Sequence, residues 1–281
     1  MRWLWLCCLP WLGGCGVIKA TDVINFVLPA SHYTRISGDY GDQPRQGWDL
    51  YLPDEVRGAP VVFIYGGAWR EGDRADYEFV GHALTGLGYP VFIADYRLYP
   101  EVTYPAFVDD SADAIAWFEA NADELLGHPL QRYVLMGHSS GAHTAALLAT
   151  DTRFLRERGV RAELAGLVGM AGPYDLPLDD PEVVDVFPGA DASEVKPVQT
   201  VSGASPPVLL LHGLKDQRVV PRHSRRFAQV LRQAGVPVTL KLYDGVNHTR
   251  LVGSFAAPLR FLNDSFDDTR EFLAERAGST P

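Results

Sequence analysis

The segment Gly137-His138-Ser139-Ser140-Gly141 sets adjacent hydroxyls between flanking glycines. A serine oxygen attacks a carbonyl carbon only when a base takes its proton and N–H groups hold the oxyanion that forms. The glycine spacing favours Ser139 as the nucleophile. A corner residue at a sharp strand-to-helix turn has a strained backbone and needs small residues two positions to either side. Ser139 has Gly137 and Gly141 there, whereas Ser140 would have His138 and Ala142. The corner also points the hydroxyl at a helix N-terminus, where free N–H groups favour negative charge.

The base and its acid should follow in the order serine, acid, histidine. The histidines after Ser139 are His143, His212, His223 and His248. His143 stands one helical turn beyond Ser139 and precedes every candidate acid from a later strand. His212 precedes the acid of its own loop, and His223 reads as part of the solvated face of a basic amphipathic helix. His248, in "YDGVNHTR" beyond the last strand, remains as the base. Asp216, in "LLLHGLKDQRVVP", is the leading acid, with Asp175 and Asp244 as alternatives that also follow strands. A carboxylate there holds the imidazole tautomer and stabilises the imidazolium. Oxyanion donors are expected from the N–H of Ser140 and from Gly67 and Ala68 in "YGGAW". Gly66, Trp69 and His138 flank these groups as candidate substrate contacts.

Chemistry of this kind needs strand exits. "WDLYLP", "APVVFIYGGAW", "YPVFIADYRLYP", "RYVLMG", "LAGLVGMAG", "PPVLLLHG" and "VPVTLKLYDG" are short alternating or continuously apolar runs. Helical stretches separate them: 77–88, a long one over 107–127, 139–150, 222–235 and a C-terminal one near 257–276. Strands alternating with helices predict a mostly parallel sheet covered on both faces, with the ligand site beyond the carboxyl ends of the strands. A Pro- and Asp-rich insert, 173–205, falls among the later strands and is expected to border the pocket.

The chain has 281 residues, 47% of them hydrophobic, enough for a large single core. Its formal charge of -10 argues against nucleic acid or anionic lipid as an electrostatic partner. Cys7, Cys8 and Cys15 all lie in the opening segment, so the body offers no thiol, disulfide or cysteine metal ligand. That opening, "MRWLWLCCLPWLGGCG", has one early positive charge, an apolar run and then small residues, the layout of an export signal. "LGGC" resembles the lipobox of bacterial lipoproteins, which would make 1–14 a signal peptide and Cys15 a lipidated first residue. A plain export signal and an apolar segment of a non-exported chain are the alternatives. Lipidation would place the protein on a membrane of the cell envelope; otherwise it would be periplasmic or secreted. Residues 15–47 read as a tether with early strands, and 48–281 as the catalytic body.

Together these motifs resemble the α/β-hydrolase fold, and within it the serine esterases that include hormone-sensitive-lipase-like carboxylesterases and kynurenine-formamidase-like enzymes. "YGGAW" is similar to that group's HGGGW loop, "ADYRLYPE" to DYRLAPE, "GHSSGAH" to GHSAGAH and "LHGLKDQRVVP" to its acid loop. The resemblance implies an α/β fold with a mostly parallel central sheet and a small insert after the sixth strand. It implies an ester hydrolase with Ser139, Asp216 and His248 as triad, Gly67, Ala68 and Ser140 as oxyanion donors, a small-molecule ester as substrate, and neither metal nor cofactor. An amide, arylformamide or peptide bond is the alternative substrate, and a binding protein that has lost catalysis the more distant one. Tyr65 stands where the group has histidine, and Ala68 where it has glycine or tyrosine. Alanine does not take positive φ cheaply, so altered hole geometry is expected at these positions.

Overall fold

The computed structural model describes Thr21, Asn25, Leu28 and residues 33–278. The expected signal peptide and Cys15 lie outside the described residues. Eight strands among those described form one sheet: β1 (Tyr33–Asp39), β2 (Gly47–Pro53), β3 (Val61–Ile64), β4 (Val91–Ala94), β5 (Arg132–His138), β6 (Glu163–Met170), β7 (Val208–Gly213) and β8 (Val238–Tyr243). Their order is β1-β2-β4-β3-β5-β6-β7-β8. The pairings of β1 with β2 and of β2 with β4 are antiparallel, and those from β4 through β8 are parallel.

The apolar runs account for this arrangement. β3 and β7 bury every residue and β5 all but its first. Successive side chains on a strand point to opposite faces, so both faces of the central strands are covered. β8 alternates half-buried with exposed positions, as an edge strand does.

The covering helices are α1 (Glu78–Thr85), α2 (Ala106–Ala120), α3 (Ala122–Leu126), α4 (Ser140–Thr150), α5 (Arg153–Glu157), α6 (Ala192–Val195), α7 (Pro197–Thr200), α8 (Arg222–Gln233), α9 (His248–Gly253) and α10 (Ser265–Arg276). α4 is buried along its whole length and packs against β3, β5 and β6. Its alanine-rich sequence permits that close approach.

Three expectations are corrected. The helix expected over 107–127 is interrupted at Asn121, whose side chain folds back to donate to Trp117 O at 2.7 Å. The one expected near 257–276 is a 3-10 turn, Ala257–Leu262, broken from α10 by the extended Asn263. His223 is not on a solvated face. The insert folds over the start of α8, burying His223 so that its Nδ1 accepts the Asp175 N–H at 3.3 Å.

Candidate active site

β5 ends at His138 and α4 begins at Ser140, leaving Ser139 alone to turn the chain. Its φ of 56° and ψ of -125° lie in a region that favours glycine. Strain of this kind costs on the order of 1–3 kcal/mol and persists only where the surroundings impose it. The flanking glycines are required by contact: a Cβ on Gly137 would lie 2.4 Å from Gly141 O, and one on Gly141 would lie 2.1 Å from Ile64 O. Ser139 N–H donates to Met170 O at 2.9 Å, which fixes the corner to the neighbouring strand.

The candidate base and acid arrive from the next strand exits. His248, the first residue of α9, places Nε2 2.9 Å from Ser139 Oγ. Its Nδ1 lies 2.7 Å from Asp216 Oδ2, in the loop after β7. A ring nitrogen facing a carboxylate must carry the proton, so Nε2 is left with a lone pair toward the serine. Asp216 Oδ1 accepts the N–H groups of Arg218 and Val219 at 3.0 and 2.9 Å. Burial alone would push the Asp216 carboxyl up. The hydrogen bonds from His212 and His248 outweigh it and hold the group below the usual carboxylate range. Of the alternative acids, Asp175 pairs with Lys196 at 3.3 Å, and neither it nor Asp244 has a bond to His248 among the described residues.

Supporting contacts that motif reading did not find surround this series. His212 is fully buried and lies 3.4 Å from Asp216 Oδ2 through Nε2, which also donates to Val219 O at 2.8 Å. Its Nδ1 meets Ser224 Oγ at 2.7 Å. A histidine at the end of a buried strand needs such partners, and that was the available signal. His138 packs on the His248 ring at 4.8 Å, and its Nε2 donates to His248 O at 3.3 Å. Burial and the neighbouring His248 push His138 down to about 3, so it stays neutral beside the base.

The loop after β3 brings Gly67 (φ 142°), Ala68 (φ 52°) and Trp69 (φ 58°) beside the serine. Ala68 thus takes the left-handed conformation that alanine resists, and Trp69 shares it. The turn closes through Arg70 and Glu71 N–H groups on Gly67 O, both at 3.0 Å. Trp69 packs edge-on to His143 and Phe187 at 5.2 and 4.9 Å, and His143 Nε2 donates to Val195 O at 2.7 Å. Through these contacts the insert is tied to the loop.

Ser139 stands between two clefts of different size. A compact one, about 580 Å³, is lined by Ala68, Trp69, Leu176 and Val183 together with Asp180, Glu182, Arg218 and His223. The wider one, about 1030 Å³, is lined by Gly66, Gly67, Glu71, Asp76, His138, His248 and Thr249. Trp69 therefore faces the first, and Gly66 and His138 the second. Residues 173–183 of the insert wall the compact cleft.

A mostly parallel sheet whose strand exits gather a serine at a strained corner, a histidine and an aspartate defines the α/β-hydrolase class. Comparison with known proteins narrows it. Residues 48–180 match the BD-FAE family model and residues 178–279 the prolyl oligopeptidase family model. A probable isoprenylcysteine alpha-carbonyl methylesterase of Oryza sativa subsp. japonica is 32% identical over 267 residues, covering 84% of this chain. The chain spans 61% of that relative's length. A second rice methylesterase of that description, ICMEL1, is 31% identical over 302 residues, covering 98% of this chain and 68% of its own. Among solved structures, a truncated carbohydrate esterase from gut microbiota superposes with a TM-score of 0.75 at 22% identity, covering 89% of this chain and 99% of the other. The chain belongs to the α/β-hydrolase serine esterase family.

Proposed function

We propose that this chain hydrolyses carboxylic esters through an acyl-enzyme. His248 Nε2 takes the Ser139 proton as Oγ attacks, while Asp216 holds the imidazolium. The carbonyl oxygen becomes an oxyanion facing the N–H groups of Ser140, Ala68 and Gly67. The alkoxide leaves with the proton from Nε2, and water repeats the sequence in reverse. The observation that carries this reading is the unbroken hydrogen-bond series from Ser139 through His248 to Asp216. Fluorophosphonate labelling tests it: folded protein should be labelled once, at Ser139, and an unlabelled protein would sink the proposal.

The clefts give the reading a direction. A leaving alcohol takes its proton from His248, so it occupies the wide cleft that His248 lines, and the acyl group occupies the compact one. A methylesterase releases the smallest alcohol, whereas a carbohydrate esterase releases a bulky hydroxylated one. The asymmetry of size favours a compact acyl group on a larger alcohol. Rates on nitrophenyl esters should fall as the acyl chain lengthens from acetyl to decanoyl. At fixed acyl group they should hold as the alcohol grows from methanol to a sugar, and the reverse pattern would assign the clefts the other way.

A second reading, amide or peptide cleavage with the same residues, draws support from the prolyl oligopeptidase match over residues 178–279. A matched ester and anilide separate the two, with the ester expected to be faster. Lipid anchoring at Cys15 is part of the proposal: mass spectrometry of the mature N-terminus should find an acylated cysteine, and an unmodified or uncleaved terminus would remove the anchor.

A further inference from the structure

The loop that follows β3 departs from the resembling esterases at Tyr65, and the departure has partners. The Tyr65 ring is fully buried. Its hydroxyl donates to Asp95 Oδ1 at 2.8 Å and accepts from Arg45 Nη2 at 2.9 Å. Both partners also hold the far end of the loop. The Arg74 backbone N–H donates to the same Asp95 Oδ1 at 2.9 Å, and its guanidinium pairs with Asp95 Oδ2. The same Arg45 Nη2 donates to Gly72 O at 2.7 Å. Gly72 lies against the Tyr65 ring, where a Cβ would come within 2.9 Å of the ring carbons. Tyr96 stacks on the ring at 4.7 Å and donates its hydroxyl to Tyr65 O at 2.7 Å.

Both stems of the 65–74 loop are therefore joined through Asp95 and Arg45, each of which also bonds the Tyr65 hydroxyl. Between them sit Ala68 and Trp69, side-chain-bearing residues held at φ 52° and 58°. That backbone persists only where contacts over-determine it, and a loop free to relax would carry Ala68 N–H away from the oxyanion. We propose that Tyr65 is the positioning residue of the oxyanion loop, its hydroxyl joining the two stems through Asp95 and Arg45 so that Ala68 can serve in place of glycine. The inference rests on the ester-hydrolase reading above. On it, the tyrosine at 65 is the companion of the alanine at 68.

The test uses the full chain with Tyr65→Phe, which removes only the hydroxyl, and Arg45→Met, which removes the second tie from a partly exposed position. Each should lower kcat roughly 10- to 100-fold with KM nearly unchanged, less than the outright loss of a hole donor. Affinity for a trifluoromethyl ketone, whose serine adduct places an oxyanion in the hole, should fall by a similar factor. The double variant should lose little more than the worse single variant, because both ties act on one loop. If Tyr65→Phe and Arg45→Met keep kcat and ketone affinity within about twofold of wild type, or if the losses multiply, the proposal is overturned. A wild-type protein that neither hydrolyses esters nor takes a fluorophosphonate removes the esterase reading and this inference with it.

Discussion

Ser139→Ala should lower kcat on a nitrophenyl ester by roughly 10⁶, whereas Ser140→Ala should keep most of the activity. Both hydroxyls are buried at one corner, but only Ser139 Oγ meets His248 Nε2, at 2.9 Å. The role assigned to Ser140 is its backbone N–H, which alanine supplies equally. Ser140 opens α4, and Ser139 already carries the positive φ, so Ser140→Ala asks nothing new of the backbone. Steady-state kinetics on purified variants, with circular dichroism to verify folding, decides the point. Equal losses in both variants would move the nucleophile or show that the corner itself had collapsed. Residual hydrolysis by Ser139→Ala should match the contribution of the hole and binding alone, on the order of 10³ above water.

The corner was legible in the sequence because its constraint is local. Gly137 and Gly141 are each needed to avoid a backbone clash, and a strand run leading into an alanine-rich helix marks the turn. Asp216 and His248 were legible by order and by position at strand exits, since a parallel sheet brings those exits together. The Tyr65 contacts were not. Asp95, Arg45 and Arg74 come from separate stretches, and no period or motif states that they join in one network around the Tyr65 hydroxyl. Tyr65 therefore read as a threat to the hole, while in the structure it is bonded into the stems of the loop. His223 was misread for a related reason: the basic character of α8 belongs to its outer face, and what covers its first turn is the insert, whose path has no periodic signal. The break at Asn121 is of a third kind, a side chain capping the carbonyl of Trp117 within a stretch whose composition is helical throughout.

Asp216→Asn should reduce kcat by roughly 10⁴ while leaving KM and the fold nearly intact, and the reason lies in which oxygen is held by what. Oδ1 receives the Arg218 and Val219 N–H groups, at 3.0 and 2.9 Å. An asparagine carbonyl must take that position, because the amide nitrogen cannot accept. The NH₂ group then faces His248 Nδ1 where Oδ2 stood 2.7 Å away. Two donors cannot share that contact, so the imidazole proton moves to Nε2, and the lone pair that should receive the Ser139 proton is gone. His212 cannot restore the native arrangement, since its Nε2–H already donates to Val219 O at 2.8 Å. The wild-type carboxyl is held below the usual carboxylate range, so Asp216 keeps its charge as pH falls through the ordinary carboxylate pKa. The same depression contributes stability that is present above the ordinary carboxylate pKa and lost as pH falls toward the lowered one. The melting temperature of Asp216→Asn should therefore lie furthest below wild type at neutral pH, and the gap should narrow in strong acid. A variant whose kcat stays within tenfold of wild type would mean that Asp216 does not set the tautomer.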